Sequence, residues 1–184
     1  MTTTFRLAPS SWPRWLWIST LLIGAALLSP AYHCGFPLVA FVTIAALTLG
    51  RQDALFASVA VLLTHQTLIF ASQHHHATGA ALTWAVAFGA IALLSSETAS
   101  FVWRRRNGVV GAIAAFVAAY AVYEISVVAF CLASGRGVES FTLATVTRIF
   151  LRNVYTFGGL WGFLAIGAAV RFDRLRLTPA LRHT

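Results

Sequence analysis

The chain has no lysine, one methionine, two cysteines and only five acidic residues in 184 positions. Charged residues make up 10% of it, against the roughly 25% usual in soluble globular domains, so a water-soluble fold is excluded. With no lysine there is no Gly-rich phosphate loop ending in Lys, and neither G-x-S-x-G nor H-E-x-x-H occurs. ATP-driven and hydrolytic chemistry therefore find no support within the chain. The two cysteines, Cys34 and Cys131, form no C-x-x-C zinc pattern. All 13 basic residues are arginine, which gives a net charge of +8 and a pI near 11.1. A nucleic-acid binder keeps such charge on a solvated face beside a soluble core. Here the arginines stand in short clusters between long apolar runs, so nucleic acid is not the implied partner.

What is present is apolar length: 59% of residues are hydrophobic and the mean hydropathy is +0.79. A helix needs about 20 such residues to cross roughly 30 Å of hydrocarbon. Six predominantly apolar stretches approach that length, at 15–31, 36–50, 54–72, 80–103, 109–133 and 141–170. The reading is all-α: one polytopic transmembrane domain over residues 1–184, with six spans in the lipid bilayer. The second span is short, and the sixth is long enough to require tilt or a bend near Gly158-Gly159. Arg6 and Arg14 before an apolar run, with Ser29-Pro30-Ala31 after it, imitate a secretory signal. Five further spans make an uncleaved first helix the simpler reading.

Alternating the loops between the two sides sorts the arginines. Ten of the thirteen, Arg6, Arg14, Arg51, Arg104, Arg105, Arg106, Arg171, Arg174, Arg176 and Arg182, fall on the N-terminal side. By the positive-inside rule both termini are cytoplasmic, and the chain belongs to a bacterial inner membrane. Trp12, Trp15, Trp17 and Trp103 lie near that inner boundary, as aromatic belts do.

The ligand-capable side chains gather on the opposite side. His33 and Cys34 fall at the outer boundary, and His74, His75 and His76 in an outer loop. Cys131 falls near the outer end of span five, and His65 and Gln66 lie about 10 Å below the outer surface at 1.5 Å per residue. His33-Cys34 is either a borderline-to-soft metal pair of the kind suited to zinc, copper or cobalt, or an interfacial His beside a small Cys. Cys34 and Cys131 could instead form a disulfide in an oxidising compartment. The three consecutive histidines are either a solvated turn or a collecting site for a cation or an anionic ligand. His65 and Gln66 must find partners inside hydrocarbon, as a bond between helices or as ligand contacts. Glu124 lies at a depth bracketed by Arg148 and Arg152, which share one helix face. A structural ion pair among these three is one reading, and an arginine free to meet an anionic substrate group is the other. Glu97 is expected to reach toward Arg104–Arg106.

A chain of this size with six helices, both termini inside and a polar pocket toward the outer leaflet resembles the substrate-binding S-components of energy-coupling-factor vitamin transporters. The resemblance is architectural and covers most of the chain. It implies uptake of a vitamin and docking of a small-residue face on the first helix onto a coupling subunit; Ala25-x-x-x-Ser29 departs from that family's Ala-x-x-x-Ala. Resemblance to the family's small solitary vitamin B12 permeases would give Cys34 the role of cobalt ligand, with cobalamin as substrate. The expectation is a small-molecule uptake protein, binding a cobalamin-like or transition-metal substrate through His33, Cys34, His65, Gln66 and Arg148. Two competing classes are a structural or assembly subunit of a larger membrane complex and a membrane thiol redox protein.

Overall fold

The structure, a computed structural model, describes residues 11–32, 35–73, 79–135, 137 and 142–177, except for the side chains of 11–13, 72, 73, 80 and 168–177. Regular structure among them is entirely helical: α1 (Ser11–Leu28), α2 (Leu38–Thr48), α3 (Arg51–Gln73), α4 (Gly79–Arg105), α5 (Gly108–Ser134) and α6 (Leu143–Leu177). Four of these helices, over Arg51–Ala71, Ala81–Arg105, Gly108–Ser134 and Leu143–Gly167, are long and apolar enough to cross a membrane. The chain is a membrane protein on that ground. α6 is helical throughout, including Gly158 and Gly159.

α2 differs from the even span expected over 36–50. Its 11 residues, LVAFVTIAALT, rise only about 16 Å, roughly half the hydrocarbon thickness. Apolar on every side, it can bury on every side. All 11 residues are buried, and the helix touches each of the other five. The bundle is therefore built around a short central helix. Its first turn is met from α6, where Asn153 Oδ1 accepts from the Ala40 N–H at 3.1 Å. Asn153, 1% exposed, donates through Nδ2 to Ile149 O at 3.0 Å, so its amide is used on both sides. At the other end of α2, Trp17 Nε1 donates to Thr48 Oγ1 at 2.9 Å, and that hydroxyl donates to Ile44 O at 2.7 Å. Hydrogen bonds to α6 and α1 thus fix both ends of a helix too short to be held by lipid.

α4 and α5 pack closely because their facing stripes are small. Ala92, Ser95, Ser96, Ala99, Ser100 and Trp103 are buried along α4, and Gly111, Ala112, Ala115 and Ala119 along α5, all at helical spacing. The turn between them needs Gly108 at φ +82°, and a Cβ on Gly111 would meet Arg106 O at 1.7 Å. α5 ends on Gly135 in the left-handed conformation, its N–H bonded to Cys131 O, as helix C-termini commonly end.

Arg14, Arg51 and Arg104 share one end of the bundle. Arg14 pairs with Asp53 at 3.5 Å, and Arg51 Nε with Glu97 at 2.7 Å. Glu97 therefore reaches to Arg51 rather than to the Arg104–Arg106 cluster. Arg105 lies over the Phe101 ring at 4.1 Å. A small cavity of about 210 Å³ at this end is lined by Arg51, Ser100, Trp103, Arg104 and the last turn of α2.

Candidate functional site

A larger cavity of about 700 Å³ occupies the half of the bundle away from the arginine-rich end. Its walls come from the second half of α3, the first half of α4, the second half of α5 and the start of α6, with Gly35, Phe36 and Leu38 at the head of α2. α2 thus stands between the two cavities, with its first residue lining one and its last turn the other. Non-helical backbone at Gly35 and Phe36 is tolerated inside a membrane bundle where it lines a cavity. Gly35 takes φ +99°, and a Cβ there would stand 2.9 Å from an Arg152 guanidinium nitrogen.

Three of the five residues expected to bind substrate, His65, Gln66 and Arg148, line this cavity together with Glu124 and Cys131. His33 and Cys34, with the His74, His75 and His76 tract, lie outside the described residues. Whether Cys34 meets a metal or Cys131 is therefore no part of the structure. Cys131 is buried on the cavity wall, with its Sγ 3.6 Å from where a Gly137 Cβ would stand. The Arg152 guanidinium lies over the Tyr32 ring at 4.8 Å.

Glu124 is half-buried, and its carboxylate accepts a short hydrogen bond from Tyr120 OH, one helical turn earlier. The ion pairs found among the described residues are the two at the arginine-rich end. The expected brace between Glu124 and Arg148 or Arg152 is not among them. The physical reason is local: Tyr120 supplies a donor at i−4 on the same face, and Arg152 is drawn to an aromatic ring on another element.

His65, 7% exposed, is the most constrained polar group in the wall. Its ring stacks on Phe36 at 4.1 Å and 17°, and Phe36 stacks on Phe41 at 5.5 Å. Nδ1 lies 3.0 Å from Ser29 Oγ, and Ser29 in turn donates to Ala25 O at 2.7 Å. Both Ala25 and Ser29 are buried on α1 and the turn after it. The small-residue pair that departs from the family's docking motif faces inward here and supports a histidine.

Sequence reasoning missed the aromatic share of the site. Phe36, Phe70, Trp84, Phe88 and Tyr123 all line it, with Trp84 edge-on to Phe130 at 4.7 Å. The signal was present on α5, where Tyr120, Tyr123, Glu124, Val127 and Cys131 recur at i, i+3, i+4, i+7 and i+11. That run is one face of a helix.

Chemically, the cavity offers a histidine nitrogen, a carboxylate, an amide, a guanidinium and a mainly aromatic wall. Such a lining can engage a ligand by stacking and a few directed polar contacts. Among the described residues, no group of three His, Cys, Asp or Glu side chains is placed to hold a bare metal ion. No family model matches the chain, and neither a curated protein nor a solved structure shows significant similarity to it.

Proposed function

We propose that this chain is a small-molecule uptake protein of the bacterial inner membrane, with both termini cytoplasmic and the larger cavity open to the outer side as its substrate site. The observation that carries the reading is the convergence of His65, Gln66, Glu124 and Arg148 in one aromatic-walled cavity of about 700 Å³. Ionisable groups are expensive in hydrocarbon and are retained there chiefly along substrate or ion pathways. The size lies within the about 300–1,000 Å³ of clefts that bury drug-sized ligands. In this reading α1 and the segment through α2 complete the six membrane passages, α2 being the inner half of a passage whose outer half is cavity-lining chain. Vitamin-sized and metal-containing substrates fit the donor set. Cobalamin, a macrocycle with a nucleotide tail, would project beyond the cavity.

The test is ligand-dependent stabilisation of the purified protein, since a ligand bound only to the native state raises stability by RT ln(1 + [L]/Kd). The panel consists of cyanocobalamin, hemin, riboflavin, cobalt(II) and nickel(II). Ala81→Trp fills the cavity wall and is assayed in parallel. Stabilisation by a panel member that disappears in Ala81→Trp supports the reading. Equal stabilisation in both proteins, or none by any member, overturns it.

A further inference from the structure

Histidine tautomers are set by the partner of one ring nitrogen, and here the hydrogen count decides. Ser29 Oγ carries one proton, which goes to Ala25 O at 2.7 Å. His65 Nδ1, at 3.0 Å from the same oxygen, must then be the donor. In the neutral ring this leaves the lone pair on Nε2. Among the described residues nothing meets that nitrogen, although the residue is 7% exposed and lines the cavity. A buried imidazole held through Nδ1–H, stacked on Phe36 and presenting a bare Nε2 has the orientation that metal-ligating histidines obtain from their outer partners.

A bare ion would need three or four such donors, and the described residues supply no cluster of that kind. A metal that arrives already held in a planar macrocycle needs only one axial donor. The rest of the cavity fits such a ligand: Trp84, Phe88 and Tyr123 offer aromatic rings, and Arg148, with no ion-pair partner among the described residues, offers a guanidinium to an acidic side arm. We propose that the cavity takes a metallated porphyrin bearing carboxylates, with His65 Nε2 as axial ligand and Arg148 at a carboxylate. The coordination step breaks no bond and changes no oxidation state: the Nε2 lone pair enters the metal's open position and the proton stays on Nδ1. This rests on the uptake reading and names its substrate class.

The experiment titrates hemin and metal-free protoporphyrin IX into the full chain in nanodiscs, following the Soret band of the first and the fluorescence polarisation of the second. Wild type is expected to bind both saturably, with hemin showing the band of a histidine-ligated iron. His65→Gly is expected to keep metal-free porphyrin within about threefold while losing the ligated band, and millimolar imidazole restores it. Arg148→Gln is expected to weaken both porphyrins about tenfold. Retention of metal-free binding shows that His65→Gly is folded, so its spectrum is interpretable. An unchanged Soret band in His65→Gly overturns the assignment of His65. Absence of saturable hemin binding to wild type overturns the porphyrin class, and does so whether or not the stabilisation panel finds another ligand lost in Ala81→Trp. The uptake reading falls only on the panel.

Discussion

Single residues in this chain act mainly by satisfying a polar group that hydrocarbon would leave bare. Asn153 is the clearest case, since it bonds a first-turn N–H of α2 and a carbonyl of its own helix while 1% exposed. Interhelical hydrogen bonds in membrane proteins are worth about 0.6 kcal/mol on average and up to about 1.7. Asn153→Leu is therefore expected to lower unfolding stability by about 1 kcal/mol, measured by denaturant titration in detergent, with no effect on the Soret band of bound hemin. Gly35 acts through its backbone, because φ +99° and the nearby Arg152 guanidinium leave no room for a side chain. Gly35→Ala is expected to cost about 1–3 kcal/mol in the same titration, and an unchanged midpoint would show that this turn relaxes freely.

At the level of helices, the packing was legible where composition alone fixes it. The Ala-rich stretch of α5 permits a close neighbour, and α4 supplies one, with Ala115 and Ala119 fully buried in α5. Ala115→Leu is expected to overpack this interface by about 1–3 kcal/mol, and the same change at exposed Ile113 to leave stability unaltered; equal effects at the two sites would refute the contact face. α3 begins at Arg51, inside the polar Arg51-Gln52-Asp53 run that the expected span over 54–72 left out. The halved length of α2 was not legible, because an apolar run of 15 residues carries no mark of where helix gives way to cavity-lining chain. The site shows the same division. His65, Gln66 and Arg148 stand out in an apolar helix by type. Ser29 and Phe36 matter through partners 36 and 29 residues away in the chain, which periodicity within one helix cannot show.

For the whole molecule, the arginine distribution gives one end a sign. Arg14, Arg51 and Arg104 meet at that end, and the histidine-bearing cavity lies in the other half. In a background with Cys34 and Cys131 replaced by alanine, Arg105→Cys is expected to react with an impermeant maleimide only from the cytoplasmic side. Ser134→Cys is expected to react only from the outside. The reverse pattern in intact cells and inverted vesicles would turn the larger cavity to face the cytoplasm.

The central position of α2 also bears on how the chain is made. The acceptor for its Ala40 N–H lies 113 residues downstream. At about 5–20 residues per second that partner emerges roughly 6–20 seconds later. Until then α2 lacks its α6 wall as well as the bond that ends its first turn. The helix at the centre of the finished bundle is thus among the last to be secured, and the larger cavity closes around it only when α6 arrives.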